Sequence, residues 1–144
     1  MRRSTAAQAG GWLTLTFGVA HTVLAAWGTR AEWARVHREG WWDTVRLEPH
    51  DEAGVRRAMV TWFSVASFGV PCAVLGAHLV STARRGQPVP RWVGGSLLAW
   101  SVPMVVVLPR SPAWVAPVFA SLLLLGAEPP DAQRRVMTSV RGSR

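Results

Sequence analysis

A chain of 144 residues, 49% hydrophobic and with a formal net charge of +8, has room for one soluble domain or for about three to five membrane-crossing helices. Its charges are confined to short zones: Ser4 to Thr29, Ala58 to Ala83, Trp92 to Pro109 and Ser111 to Ala127 carry none. A soluble helix keeps one face in water, so four such runs argue against a soluble bundle.

All 16 basic residues are Arg. Beside membrane spans they set orientation and meet anionic lipid headgroups, so no nucleic-acid partner is expected. The single cysteine, Cys72, supplies neither an internal disulfide nor a thiolate pair for a metal.

A bilayer core takes roughly 20 apolar residues per helix, and about 17 still suffice. The first two runs are ample and the last two marginal. The expectation is an all-α integral membrane protein, a four-helix bundle forming a single membrane domain. Span 1 covers about 11–28, bracketed by Trp12 and Trp27, whose rings suit the two headgroup belts. Met1-Arg2-Arg3 before it imitates a signal peptide, but Trp27 after Ala25-Ala26 is too bulky for a cleavage site, so a retained helix is expected.

A charged loop, 29–57, follows. Within it Glu32-Trp33-Ala34-Arg35-Val36-His37 suggests a short amphipathic helix, and 41–52 an irregular cap or second short helix. Span 2 covers about 58–82, opened by Trp62 and Phe63. Pro71 predicts a kink near Ser67 to Pro71, because proline removes a helix hydrogen bond and crowds the preceding turn. Span 3 covers about 92–108, with Pro103 as a second kink. Pro109-Arg110-Ser111-Pro112 turns the chain into span 4, about 113–125.

Arg2 and Arg3, then Arg84, Arg85 and Arg91, then Arg134, Arg135, Arg141 and Arg144 fall on one side of such a protein. The positive-inside rule puts that side, with both termini, in the cytoplasm, and the expected location is the bacterial cytoplasmic (inner) membrane, crossed several times. The loop's six arginines are matched by six acidic residues.

Close helix approach in a bilayer depends on small residues. Gly18, Thr22 and Ala26 repeat every four positions in span 1, as do Gly69, Ala73 and Ala77 in span 2, and Gly94 and Gly95 serve span 3. These stripes read first as packing.

His21 is the sharpest candidate for chemistry. It lies roughly 15 Å into span 1, where imidazole is expensive to expose to lipid and should turn inward. The alternative reading is a hydrogen-bonded packing histidine. His78 lies about 9 Å from it along the membrane normal, a poor match for paired haem ligands. No acidic residue stands in the spans to complete a metal site, so no metal and no cofactor are expected. Glu48, His50, Asp51 and Glu52, with His37 upstream, suit an ion or an acid/base pair only loosely; a solvated loop is the simpler account.

Several of these features resemble an uncharacterised family of small four-helix bacterial integral membrane proteins. They are Gly11-Trp12-Leu13, Gly18-Val19-Ala20-His21-Thr22, Trp62-Phe63, Pro88-x-Pro90 and Pro109-x-Ser111-x-x-Trp114. The resemblance implies a four-helix membrane architecture and a role for His21 and for the Trp114 turn. It implies no activity, and His78 is outside its pattern.

The leading expectation is a bundle that binds an apolar small molecule, a lipid, quinone or isoprenoid. His21 is its polar contact, and Trp62, Trp114 and His78 are further ligand-binding residues. Two alternatives stay open: a structural or accessory subunit, homo-oligomeric or bound to another membrane protein, and an isomerase- or cyclase-type enzyme. In the enzyme His21 is the acid/base and tryptophan faces steady a carbocation. Membrane lipids are partners in every version.

Overall fold

The computed structural model describes residues 2–40, 51–64, 66–107 and 109–127. Among them the chain is all-helical: α1 Arg2–Gly28, α2 Arg30–Glu39, α3 Glu52–Phe63, α4 Gly69–Arg84, α5 Arg91–Val107, a 3-10 turn Pro112–Trp114, and α6 Val115–Gly126. The expected count of four helices is therefore corrected to six. The charged loop supplies α2, and the expected second span is two helices rather than one.

The division of that span has a local cause. Ser64 leaves helical geometry (φ −115°, ψ −95°), and the backbone turns through Ala66 N–H to Thr61 O (2.9 Å) and Ser67 N–H to Ser64 O (3.2 Å). The Ser67 hydroxyl donates to Ser64 O (2.6 Å) and accepts from Gly69 N–H (3.3 Å), a local bonding pattern that competes with the helix ladder. The break thus falls just before the kink expected at Ser67 to Pro71. Pro71 sits in the first turn of α4, where a missing N–H costs no helix bond. Pro103 lies inside α5, which runs through it.

The chain forms two compact units, residues 15–75 and residues 1–14 with 76–144. In the first, the second half of α1 meets the start of α4 at glycine. A Cβ on Gly18 would lie 2.3 Å from Ala73 N and 2.5 Å from Gly69 O, so the two backbones touch. Gly18, Gly69 and Ala73 of the two small-residue stripes do meet, whereas Ala77 is exposed. The expected amphipathic helix is α2. It packs on α3 with Val36 buried, is tied there by Trp33 Nε1–H donating to Ser64 Oγ (3.2 Å), and pairs Glu39 with Arg57.

In the second unit α5 and α6 form a hairpin over Phe119, Ala120 and Leu123, all fully buried. Gly10 lies against Leu123, Gly11 against Leu79 and Val80, Gly126 against Ala7, and Gly94 against Ala120 and Leu124. Gly95 faces open space, so only Gly94 serves the close approach expected of the pair. Arg110, in the turn of the hairpin, is exposed.

One described helix segment, Thr5–Gly28, is long and apolar enough to cross a membrane; Arg91–Val107 and Pro112–Gly126 are apolar but shorter.

Candidate functional site

His21 lies on α1 one turn beyond Phe17 and next to Thr22, at the level where Gly69 starts α4. Its ring stacks on Phe68 (centroids 4.5 Å apart, planes at 29°), and Phe68 stacks in turn on Phe17 (5.8 Å, 14°). Phe17 and His21 are tilted neighbours at 6.2 Å. The ring edge also reaches the helix break: a Cβ on Gly69 would fall 3.1 Å from His21 Cδ2 and 2.5 Å from Thr22 Oγ1. Glycine at 69 is therefore what lets imidazole sit beside the first turn of α4.

Nε2 is bonded to that same Cδ2. It is buried and has no hydrogen-bond partner among the described residues. Leaving a buried donor or acceptor unpaired costs about 1–3 kcal/mol. The hydroxyls of Thr22 and of the helix break are already engaged: Thr22 donates to Gly18 O (2.9 Å), Ser64 to Val60 O (2.5 Å) and Ser67 to Ser64 O. The Thr61 hydroxyl oxygen, one turn before the break, is a second buried polar atom without a partner. A neutral imidazole nitrogen either donates or accepts one hydrogen bond, so the chemistry open to this site is one polar contact within an aromatic setting.

The other expected site residues are distributed as follows. Trp62 is exposed on α3 in the same unit as His21. The rings that flank His21 are Phe17 and Phe68, which the sequence reading did not single out. Phe17 was detectable as the residue four before His21 on one helix face, and Phe68 through the Ser67-Phe68-Gly69 sequence that starts a new helix. His78 on α4 and Trp114 in the 3-10 turn are exposed residues of the other unit.

In the charged segment, Glu48 and His50 lie outside the described residues. Asp51 caps α3, its carboxylate accepting from Gly54 N–H (2.6 Å), and Glu52 pairs with Arg56 at 3.7 Å. No group of three or more metal-ligating side chains occurs among the described residues.

No curated protein and no solved structure matches the chain. A family model does, over residues 4–130, a stretch that runs from the first turn of α1 through α6 and takes in the whole His21 setting. The chain belongs to that family, DUF6463, a family of unknown function.

Proposed function

We propose that this protein is held in a membrane by its apolar helices and that the His21 site binds an apolar small molecule carrying one hydroxyl or carbonyl group, of lipid, quinone or isoprenoid type. The observation that carries the reading is the buried, unpartnered Nε2 of His21, whose ring stacks on Phe68 at a helix break. Broken helices at membrane depth are tolerated where backbone is buried in protein or lines a cavity, and polar residues there are associated with binding sites.

Membrane residence is supported by the distribution of side chains. Six of the seven described tryptophans are exposed, Trp27 and Trp92 by about 70%, while Thr14, Ser64 and Ser101 are fully buried. In water such a surface would aggregate or demand a partner; in lipid it is the favoured one. In this reading His21 and Trp62 serve the bound molecule, and exposed His78 and Trp114 belong to the surroundings of their own unit.

The test is native mass spectrometry of protein gently extracted from its own membranes, with lipid analysis of what dissociates, for wild type, His21→Ala and His21→Phe. A stoichiometric apolar molecule present in wild type and lost from both folded variants is the expected result. A protein without such a molecule, bound instead to another polypeptide, would replace this reading with that of a structural subunit.

A further inference from the structure

Among its described residues the unit formed by residues 1–14 and 76–144 is basic, and most of that charge lies at one end. Its described residues include Arg84, Arg85, Arg91 and Arg110 and no acidic residue. In the unit of residues 15–75 Arg35, Arg56 and Arg57 are each paired with a glutamate, while Arg30 lies over the Trp27 ring and donates to Trp27 O.

Packing within the basic unit gathers most of these cations. Ala7 lies against Gly126, Gly10 against Leu123, Gly11 against Val80, and Gly94 against Leu124. The start of α1, the end of α4 and the start of α5 therefore share one end with the end of α6, whereas Arg110 is at the other end of the α5–α6 hairpin.

The connection from α4 to α5 is built firmly. Gly86, at φ +69°, closes α4 with Gly86 N–H to Ala83 O and Gln87 N–H to Thr82 O, both 3.1 Å, the paired bonds of a glycine-terminated helix. Val89 is buried, which anchors the turn. Arg84 is thereby held with its guanidinium over the Trp12 ring, 5.3 Å from the centroid. Attraction of the cation to the indole face holds the guanidinium near the ring, and its N–H groups can still donate to an anion. Arg84, Arg85, Arg91 and Trp92 are all exposed.

We infer that Arg84 on Trp12, with Arg85 and Arg91, forms a binding site for the phosphate of an anionic phospholipid headgroup. Guanidinium groups engage phosphate oxygens in pairs. The exposed indoles of Trp12 and Trp92 at the same end of the unit match the headgroup level of a bilayer. The inference rests on the membrane reading above, and the source of the phosphate is the lipid rather than the free ion.

The experiment is a titration of delipidated protein in neutral detergent with phosphatidylglycerol or phosphatidylcholine, read by native mass spectrometry. It is run for wild type, Arg84→Gln, the triple variant Arg84→Gln/Arg85→Gln/Arg91→Gln, Trp12→Leu and Arg110→Gln, each checked for folding by circular dichroism. Phosphatidylglycerol should bind preferentially. Affinity should drop about five-fold per arginine removed, fall measurably in Trp12→Leu, and stay unchanged in Arg110→Gln or with inorganic phosphate added. Equal retention of the two lipids, an equal loss in Arg110→Gln, or displacement by inorganic phosphate would overturn the site.

Alkaline carbonate washing of membranes separates this inference from the one beneath it. A washed-off protein that still selects phosphatidylglycerol through these arginines refutes embedding and supports the site; an embedded protein indifferent to headgroup refutes the site alone.

Discussion

Gly18→Ala should be among the most destabilising single-methyl changes available in this chain. The added Cβ would meet Ala73 N at 2.3 Å, Gly69 O at 2.5 Å and Ala73 Cα at 2.9 Å. All three are backbone atoms, so no side chain can rotate away. Ordinary contact is about 3.5–4.0 Å, which means α1 and α4 must separate by roughly 1 Å at the crossing, and a gap of that size forfeits about a quarter to a half of the dispersion energy.

Overpacking of this kind costs about 1–3 kcal/mol, with the backbone contacts favouring the upper end. Alanine returns up to about 1 kcal/mol as the better helix former. The net expectation is a loss of about 2 kcal/mol. Gly95→Ala isolates the propensity term, because nothing lies within 4 Å of a Cβ there, and should gain about 0.5–1 kcal/mol.

Reversible unfolding in mixed micelles, followed by circular dichroism, compares the two. The difference between them should be about 2.5–3 kcal/mol, roughly 70- to 150-fold in the unfolding constant. Equal stabilities would mean that the close α1–α4 crossing does not contribute to the folded state, and the argument from Gly18 and Gly69 would fall.

His21→Phe keeps the stack on Phe68 while deleting the unpartnered nitrogen, so stability should rise by about 1 kcal/mol or more as bound apolar molecule is lost; unfolding and native mass measurements on one sample must move in these opposite senses. Asp51→Ala removes the cap on Gly54 N–H and should cost about 1 kcal/mol, with Asp51→Asn retaining most of it, both read from denaturant midpoints. Trp33→Phe breaks the tie to Ser64 Oγ for about 0.5–1.5 kcal/mol. A double-mutant cycle with Ser64→Ala that gave no coupling would disprove that bond.

What the sequence disclosed, and what it withheld, follow from range. Uncharged runs, the amphipathic pattern around Trp33 and the four-residue spacing of Gly18 and Thr22 are local signals, and they led to the helices, to α2 and to the crossing with Gly69. The break before α4 was misplaced because Pro71 is the louder signal. Proline is harmless in a first turn, and it is the serines at 64 and 67 that redirect the chain. The site was half visible. His21 stands out as an imidazole in an apolar run, but that its plane lies against Phe68 depends on how α1 and α4 cross, which spacing along one helix does not contain.

The buried hydroxyls indicate what holds each unit together and what kind of site it offers. Thr14 donates to Gly10 O, Ser101 to Leu98 O and Ser64 to Val60 O, each back along its own helix. Such bonds satisfy the hydroxyl within its own helix, although Ser64 also accepts across from Trp33, so helix contact rests mainly on buried apolar side chains and on close glycine and alanine crossings. Hydroxyls committed to their own carbonyls also make a poor lining for an ion path, which needs polar groups free to replace a hydration shell. The buried side-chain atoms left without partners among the described residues, His21 Nε2, Thr61 Oγ1 and Arg57 Nε, all belong to residues 15–75. The clustered arginines Arg84, Arg85 and Arg91 belong to the other unit. A neutral molecule with one polar group fits the first pattern and an anion the second, so the two proposed ligands should not compete, and saturating phosphatidylglycerol should leave the molecule at His21 in place.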